Sequence, residues 1–230
     1  MNERTSGQSE EIRMRVGGVT LGATLTVPAS AAGIVLFAHG SGSSRFSPRN
    51  RFVAGVLNEA GLATLLMDLL TPEEERAEAY TRHLRFDIRL LTDRLVGAVD
   101  WAASEPRTSD LSIGCFGAST GAAAALLAAV ERPQLVRAVV SRGGRPDLAG
   151  AGLRDVHAPT LLIVGGEDWE VLALNRDALA ALAAEIKQLD VVPGATHLFE
   201  EAGAMEEVAR LTADWFVGHL AATPVGSRHA

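Results

Sequence analysis

The chain of 230 residues carries 21 lysine and arginine residues against 28 acidic ones, which gives a formal net charge of −7. Because an acidic surface repels polyanions, this balance argues against nucleic acid and anionic membranes as partners. Hydrophobic residues make up 47% of the chain, enough for a large core, and the length suits one domain over 1–230. Within it we expect 1–10 and 221–230 to be loose tails.

Cysteine usage and the first residues bear on the compartment. The single cysteine, Cys115, cannot form an intrachain disulfide, which favours a reducing environment. Its apolar neighbours favour a buried, inert thiol over a nucleophile. Residues 1–10 lack the apolar stretch of a signal peptide, and no apolar run reaches bilayer-spanning length. These features predict a cytoplasmic monomer or homodimer without a membrane partner.

In chain order, the first predicted element is an antiparallel hairpin, in which Gly17-Gly18 joins strands over 13–16 and 19–27. Further strand-length apolar runs lie at 33–38, 62–68, 111–116, 135–141, 160–164 and 187–192. Helical patterns lie at 52–60, 84–103, 122–130, 172–186 and 203–220. This alternation predicts an α/β fold: a mainly parallel twisted sheet with an N-terminal antiparallel hairpin and helices on both faces. Only 18 residues separate the strand ending at Ser141 from the one starting at Thr160, too few for a large cap.

The most informative motif is Gly117-Ala118-Ser119-Thr120-Gly121, which lies between a predicted strand and an alanine-rich helix. Strand, G-x-S-x-G and helix is the arrangement of a nucleophile elbow, where a sharp turn exposes a serine hydroxyl. The two glycines let strand and helix approach closely, while the serine takes strained backbone angles. We predict that Ser119 is a nucleophile.

A serine nucleophile needs a base, and the base needs an orienting acid. Functional residues of open α/β sheets collect at the carboxyl ends of strands. Asp168 follows the strand at 160–164, and His197 follows the strand at 187–192. Glu167 is a competing acid, and Asp168 could instead cap the next helix. The order Ser119, Asp168, His197 is nevertheless the one expected of a hydrolase built on such a sheet.

Acyl transfer also needs two N–H groups that face the developing oxyanion. One should belong to Thr120, directly after the nucleophile. The second should come from His39-Gly40-Ser41-Gly42, the turn after an early buried strand, and Ser41 is the candidate. A flexible turn and a phosphate-binding loop are the alternatives for this segment. A phosphate loop of the P-loop type would need a lysine, and none occurs there.

Residues beside these loops are candidates for the substrate pocket. Four of them are Phe46, Trp169, Leu198 and Phe199, for which a core or surface role is equally open. Arg142 and Arg145 follow the strand at 135–141 and could clamp a carboxylate. Ion pairs of these arginines with Asp147 or Asp155 are the alternative. No cluster has metal-ligand spacing, so we expect neither a metal nor an organic cofactor.

Across nearly its whole length the chain resembles the α/β-hydrolases, and more narrowly the dienelactone-hydrolase-like group. The residues that carry the resemblance are His39-Gly40-Ser41-Gly42, Asp68-Leu69-Leu70, Gly117-Ala118-Ser119-Thr120-Gly121, Gly166-Glu167-Asp168 and Gly194-Ala195-Thr196-His197. The enzymes that give the group its name use a cysteine nucleophile, where this chain has Ser119. The resemblance therefore implies a serine hydrolase of small carboxylic esters or lactones. Hydrolysis of thioesters, amides or phosphoesters, and a non-catalytic ligand-binding or interaction module, are the alternatives.

Overall fold

The protein's structure, a computed structural model, describes residues 7–81 and 83–221. The strands are β1 (Ser9–Val16), β2 (Val19–Thr26), β3 (Gly33–Ala38), β4 (Ala63–Met67), β5 (Ser112–Ala118), β6 (Val136–Arg142), β7 (Thr160–Gly165) and β8 (Lys187–Val192). The helices are α1 (Pro48–Glu59), α2 (Pro72–Thr81), α3 (Ile88–Ser104), α4 (Thr120–Glu131), α5 (Trp169–Ala181) and α6 (Ala204–Leu220), with 3₁₀ helices at Leu84–Phe86 and Pro146–Asp155. None of the described helices is long and apolar enough to cross a bilayer.

The strands form a single sheet in the order β1-β2-β4-β3-β5-β6-β7-β8. β1 and β2 pair antiparallel, as do β2 and β4, and all other neighbours are parallel. At the hairpin turn Gly17 and Gly18 have φ values of 52° and 89°, which a two-residue turn of the primed type requires. The predicted mainly parallel sheet with an antiparallel N-terminal hairpin is confirmed.

Two core layers lie on opposite faces of the sheet. Along β3 and β5, Leu36 and Cys115 face the layer that α3 and α4 cover. Their chain neighbours Phe37 and Phe116 face the other layer, which α1 and α6 cover. Successive strand side chains point to opposite faces. Both faces are buried, so these strands read as continuous apolar runs in the sequence.

Several predicted boundaries shift because polar caps decide where helices begin. α1 starts four residues before the predicted Phe52, at Pro48, where the Ser47 hydroxyl accepts the Asn50 N–H at 3.3 Å. The helix predicted over 84–103 is divided by Asp87, whose carboxylate accepts the Leu90 N–H at 3.0 Å and starts α3. Cap residues satisfy N–H groups that a new helix leaves unpaired, so each of them marks a start.

The later segments also differ in detail from the prediction. α5 runs from Trp169 to Ala181 instead of over 172–186. The connection after β6 holds only the 3₁₀ helix Pro146–Asp155, so no large cap covers the sheet edge there. Ser9 and Glu10, predicted to lie in a loose tail, belong instead to β1 and pair with Thr26 and Leu25 of β2. Gly7, Gln8 and Ala221 lie outside the helices and strands, and the remainder of the two predicted tails, 1–6 and 222–230, falls outside the described residues.

Candidate active site

Ser119 occupies the sharp turn between β5 and α4. Its backbone has φ 50° and ψ −120°, a conformation that costs a non-glycine residue about 1–3 kcal/mol. Its N–H donates to the carbonyl of Arg142 at 3.3 Å, which fastens the turn to the end of β6. Among the described residues only Ser119 and Phe199 are non-glycine residues with positive φ. The backbone strain is thus concentrated at the sequence-predicted site.

Three glycines allow the turn to be this tight. A Cβ on Gly117 would lie 2.4 Å from a backbone atom of α4, and one on Gly121 would lie 2.2 Å from the Ala38 carbonyl oxygen. A Cβ on Gly40 would lie 3.0 Å from the Cβ of Ser119. Larger residues at these positions would clash, so the glycines let the loop after β3 pack directly against the elbow.

Asp168 and His197 meet across two neighbouring loops. The Nδ1–H of His197 donates to Oδ2 of Asp168 at 2.6 Å, since a carboxylate only accepts. Asp168 precedes α5 but makes no cap hydrogen bond, which decides against the capping alternative. Glu167 is exposed, and its N–H donates to the Ala195 carbonyl at 2.9 Å. The structure thus pairs Asp168, and not Glu167, with the histidine.

Ser119 and His197 line one cavity of about 210 Å³, together with Ser41, Arg142 and Leu198 among others. The Ser119 hydroxyl makes no hydrogen bond to any described residue, which leaves it available to a substrate or to the His197 ring. A larger cavity of about 940 Å³ lies next to this one and shares the loop around Ser41. We place the candidate active site in the smaller cavity because the reactive side chains border it.

Hydrogen bonds of His39 hold the turn after β3 in place. The sequence marks His39 only as the first residue of the segment His39-Gly40-Ser41-Gly42 and does not indicate this role. Its Nε2 accepts the N–H of Leu69 at 3.2 Å, so its proton is on Nδ1, which donates to the Gly40 carbonyl at 2.9 Å. Ser43 N–H donates to the same carbonyl at 3.2 Å. The Gly40 carbonyl and the Ser41 N–H share one trans peptide plane and point in opposite directions. His39 therefore fixes the direction of the Ser41 N–H.

Thr120, the other predicted donor, is the first residue of α4. An N–H at this helical position has no partner within the helix. Thr120 also borders, with Gly40 and Ser41, a small void of about 10 Å³. The structure therefore brings Thr120 and the Ser41 turn together beside Ser119, in the neighbourhood that an oxyanion site would occupy.

Two substitutions test the two hydrogen bonds of His39 one at a time. His39→Asn can still donate to the Gly40 carbonyl, so we expect kcat to stay within about 10-fold, while the orphaned Leu69 N–H lowers stability by about 1–3 kcal/mol. His39→Gln can reach Leu69 but not Gly40, so we expect near-native stability and a kcat lower by about 100-fold. Ester kinetics and urea unfolding measure both quantities. Equal losses of activity in the two variants would contradict the positioning role.

Stability should also depend on His39 below neutral pH. Burial, the largest influence, lowers the pKa of His39 from its ordinary 6.5. As the pH falls below 6.5 the unfolded chain takes up a proton at this position that the folded protein does not, so the unfolding free energy falls. His39→Gln removes this part of the dependence. Unfolding free energies between pH 7 and 5 should therefore fall less steeply in the variant, by up to about 1.4 kcal/mol per pH unit.

The four predicted apolar pocket residues are placed differently from one another. Leu198 lines the cavity beside Ser119. Phe46 lines the larger cavity and stacks under the Arg45 guanidinium at 4.1 Å. Trp169 is 72% exposed and Phe199 only 1%, and neither borders the cavity. Phe199 has a positive φ, and its ring lies in the core layer under α6. The predicted pocket role of Phe199 therefore differs from its position in the structure.

Of the two arginines predicted to line the pocket, only Arg142 borders the cavity. Arg145 donates two hydrogen bonds of 2.8 Å to the carboxylate of Asp147, so its side chain is held in an ion pair outside the cavity, as the alternative interpretation had it. Arg142 lines the cavity beside Ser119. Within 7–81 and 83–221, no three histidine, cysteine or acidic side chains are grouped so that they could hold a metal ion.

Cys115 is fully buried in β5, and burial raises the pKa of its thiol to about 12. Because the thiolate is the reactive form, the thiol should resist alkylation in the folded protein. We expect iodoacetamide at pH 8 to label it only after denaturation, as intact-mass measurement would show. Rapid labelling of the native protein, or inactivation by it, would contradict the inert role.

The sequence pattern of the dienelactone hydrolase family matches residues 21–217. A dienelactone hydrolase from Anabaena variabilis, known from its crystal structure, is 60% identical in sequence to this chain. The match covers 94% of this chain and 99% of the Anabaena chain, and the two structures superpose with a TM-score of 0.92. Est1E from Butyrivibrio proteoclasticus, at 17% identity over 93% and 98% of the two chains with a TM-score of 0.75, shares the fold.

A protein of Mycobacterium tuberculosis that carries the provisional name phosphoribosyl transferase is 59% identical over 213 residues. The match covers 93% of this chain but 47% of that protein. The chain thus spans about half the length of this relative, and the name belongs to that longer protein.

Proposed function

The chain belongs to the dienelactone hydrolase family, and we propose that it is a serine hydrolase that cleaves small carboxylic esters or lactones through an acyl-enzyme. One observation carries the proposal: the Asp168–His197 hydrogen bond of 2.6 Å lies at the cavity that also exposes the strained Ser119. Nucleophile, base and orienting acid come from three different loops, and each follows its own strand. A protein that only bound a ligand would have no need for this combination.

In the first step the Ser119 oxygen attacks the substrate carbonyl, and Nε2 of His197 takes the hydroxyl proton. Asp168 accepts the Nδ1–H, so it keeps the ring in the tautomer whose Nε2 is free and stabilises the imidazolium that forms. The substrate would align the serine and the ring, since such hydrogen bonds tighten when substrate is bound.

The tetrahedral intermediate places a negative charge on the former carbonyl oxygen. The N–H groups of Ser41 and Thr120 would donate to this oxygen. The hydrogen bond from His39 to the Gly40 carbonyl fixes the orientation of the Ser41 N–H. When the intermediate collapses, His197 returns the proton to the leaving alkoxide. Water then attacks the acyl-enzyme with His197 as base, which releases the acid and restores Ser119. For a lactone the leaving alkoxide stays attached, and the product is a hydroxy acid.

The size of the cavity favours a small acyl group. At about 210 Å³ it lies below the roughly 300–1,000 Å³ typical of sites for drug-sized ligands. Leu198 lines the cavity and is 41% exposed, so it would contact the apolar part of the substrate. The neighbouring 940 Å³ cavity with Phe46 would accept a leaving alcohol that extends outward.

A substrate panel tests the proposal. It holds p-nitrophenyl acetate, butyrate and octanoate, δ-valerolactone, an acetyl thioester, an anilide and a phosphotriester, each assayed with wild type and Ser119→Ala. We expect the short esters or the lactone to give the highest kcat/KM and alanine to abolish it. If the thioester, anilide or phosphotriester is preferred, the reaction class changes on the same triad; no Ser119-dependent turnover of any of them contradicts the hydrolase proposal.

A further inference from the structure

Asn50 carries a buried amide group without hydrogen-bond partners. The residue is only 3% exposed, and its Oδ1 is buried and unpaired. Its Nδ2 likewise makes no hydrogen bond to any described residue. Burial of a polar group that lacks a partner destabilises the folded state. The presence of an amide at this position therefore calls for a partner that the chain itself does not supply.

The other asparagines in the described part of the chain use their side chains to hold the backbone. Asn58 donates to the Leu62 carbonyl at 2.9 Å. Asn175 donates to the Gly144 carbonyl at 2.9 Å, although its Oδ1 is also unpaired. Both side chains therefore have a structural role that explains them. Asn50 differs from them because its side chain holds no part of the described backbone.

Asn50 is positioned beside the candidate nucleophile. It lies in the first turn of α1, where its N–H donates to the Ser47 hydroxyl at 3.3 Å. It lines the 210 Å³ cavity together with Ser119 and His197. At about 30 Å³ for each water-sized group, this cavity holds roughly seven such groups. A substituent that reaches Asn50 would therefore be only a few bonds from the carbonyl that Ser119 attacks.

The unpaired Oδ1 determines which chemical groups would suit this position. It only accepts, so it needs a donor, whereas a carboxylate, a ketone or an ether offers acceptors alone. An ammonium group donates, but Arg49 and Arg142 line the same cavity and would repel a cation. A hydroxyl group is neutral; it can donate to Oδ1 and accept from Nδ2.

We propose that Asn50 binds a hydroxyl group on the acyl part of the substrate, so that the protein selects hydroxyacyl esters or hydroxylated lactones. The inference rests on the proposed function, because it concerns the acyl group that Ser119 would take up. A site that buries its own polar groups rejects an analogue that lacks the matching hydroxyl. Asn50 is then a specificity-determining residue of the candidate active site.

Matched esters test this selectivity. p-Nitrophenyl 3-hydroxybutyrate carries the hydroxyl in each of its two enantiomers, and p-nitrophenyl butyrate has the same carbon chain without it. We expect wild type to favour one hydroxy enantiomer over butyrate by about 20-fold in kcat/KM. Asn50→Leu should lose this preference mainly through a higher KM for the hydroxy ester. Arg51→Leu changes the next, exposed residue of α1, which does not border the cavity, and should keep the preference.

Two outcomes would overturn the inference: equal kcat/KM of wild type for butyrate and both hydroxy enantiomers, or an unchanged preference in Asn50→Leu. Leucine is close to asparagine in size and removes an unpaired amide, so Asn50→Leu should have a Tm at or above that of wild type. Asn50→Ala removes the amide without a branched side chain and should show the same loss of preference.

A binding measurement keeps the test independent of turnover. Ser119→Ala is titrated with ethyl butyrate and with each enantiomer of ethyl 3-hydroxybutyrate, and binding is followed by ligand-detected NMR. We expect one hydroxy ester to bind about 20-fold more tightly than butyrate, and Asn50→Leu in the same background to remove this difference. Equal affinities in Ser119→Ala contradict the hydroxyl subsite. Absence of turnover by wild type, with this difference in affinity present, would count against the proposed function alone.

Discussion

Replacement of Ser119 by alanine should lower kcat for ester hydrolysis by about 10⁴-fold or more without unfolding the protein. The hydroxyl oxygen forms the acyl bond, and removal of a triad nucleophile leaves only the contribution of binding and of the oxyanion site. Alanine has the same Cβ as serine, so the strain at φ 50° remains and the unfolding free energy should not change. Steady-state kinetics and urea unfolding measure the two quantities.

Ser119→Gly is the matched control for backbone strain. Glycine adopts positive φ without a steric penalty, so this variant should be equally inactive but more stable by about 1 kcal/mol. Substantial activity in either variant would remove Ser119 from the chemistry. A glycine variant less stable than the alanine variant would contradict the strain at the elbow.

His197→Ala and Asp168→Asn form the second prediction of large effect. Loss of the base should cost about as much as loss of the nucleophile. The asparagine amide donates to Nδ1 and so moves the ring proton to Nε2, where it blocks general-base action; we expect a fall in kcat of about 10⁴-fold. Ester kinetics with each purified variant measure these losses.

Glu167→Gln serves as the matched control for Asp168→Asn. It removes the neighbouring, exposed carboxylate by the same acid-to-amide change, and we expect kcat within about 3-fold of wild type. Larger losses in Glu167→Gln than in Asp168→Asn would mean that the acid has been misassigned. Full activity of His197→Ala would remove this residue from its role.

The fold could be predicted from the sequence because its main signals are local. The hairpin glycines need positive φ at a two-residue turn, and strands buried on both faces appear as unbroken apolar runs. The elbow is equally local, since strand, turn and helix are adjacent in the chain. Helix starts were predicted less well, because Ser47 and Asp87 mark them through single cap hydrogen bonds that periodicity does not report.

The orientation of individual side chains could not be predicted. Arg142 and Arg145 are three residues apart, but only the structure shows that Asp147 holds one of them and leaves the other in the cavity. The choice of Asp168 over Glu167 likewise depends on which side chain faces the histidine loop. Phe199 follows Leu198 in the chain, which makes it a pocket candidate, but its backbone has a positive φ and its ring lies in the core. These are tertiary contacts, and sequence spacing does not encode them.

The most direct test of the central claim is covalent labelling with a fluorophosphonate, mapped by mass spectrometry. The reagent reacts with activated serines, so we expect one adduct per folded chain on the peptide that contains Ser119. Labelling should be strongly slowed in His197→Ala and absent at this position in Ser119→Ala. Failure of the folded wild-type protein to be labelled, or an adduct on another residue, would contradict the assignment of Ser119 as the nucleophile.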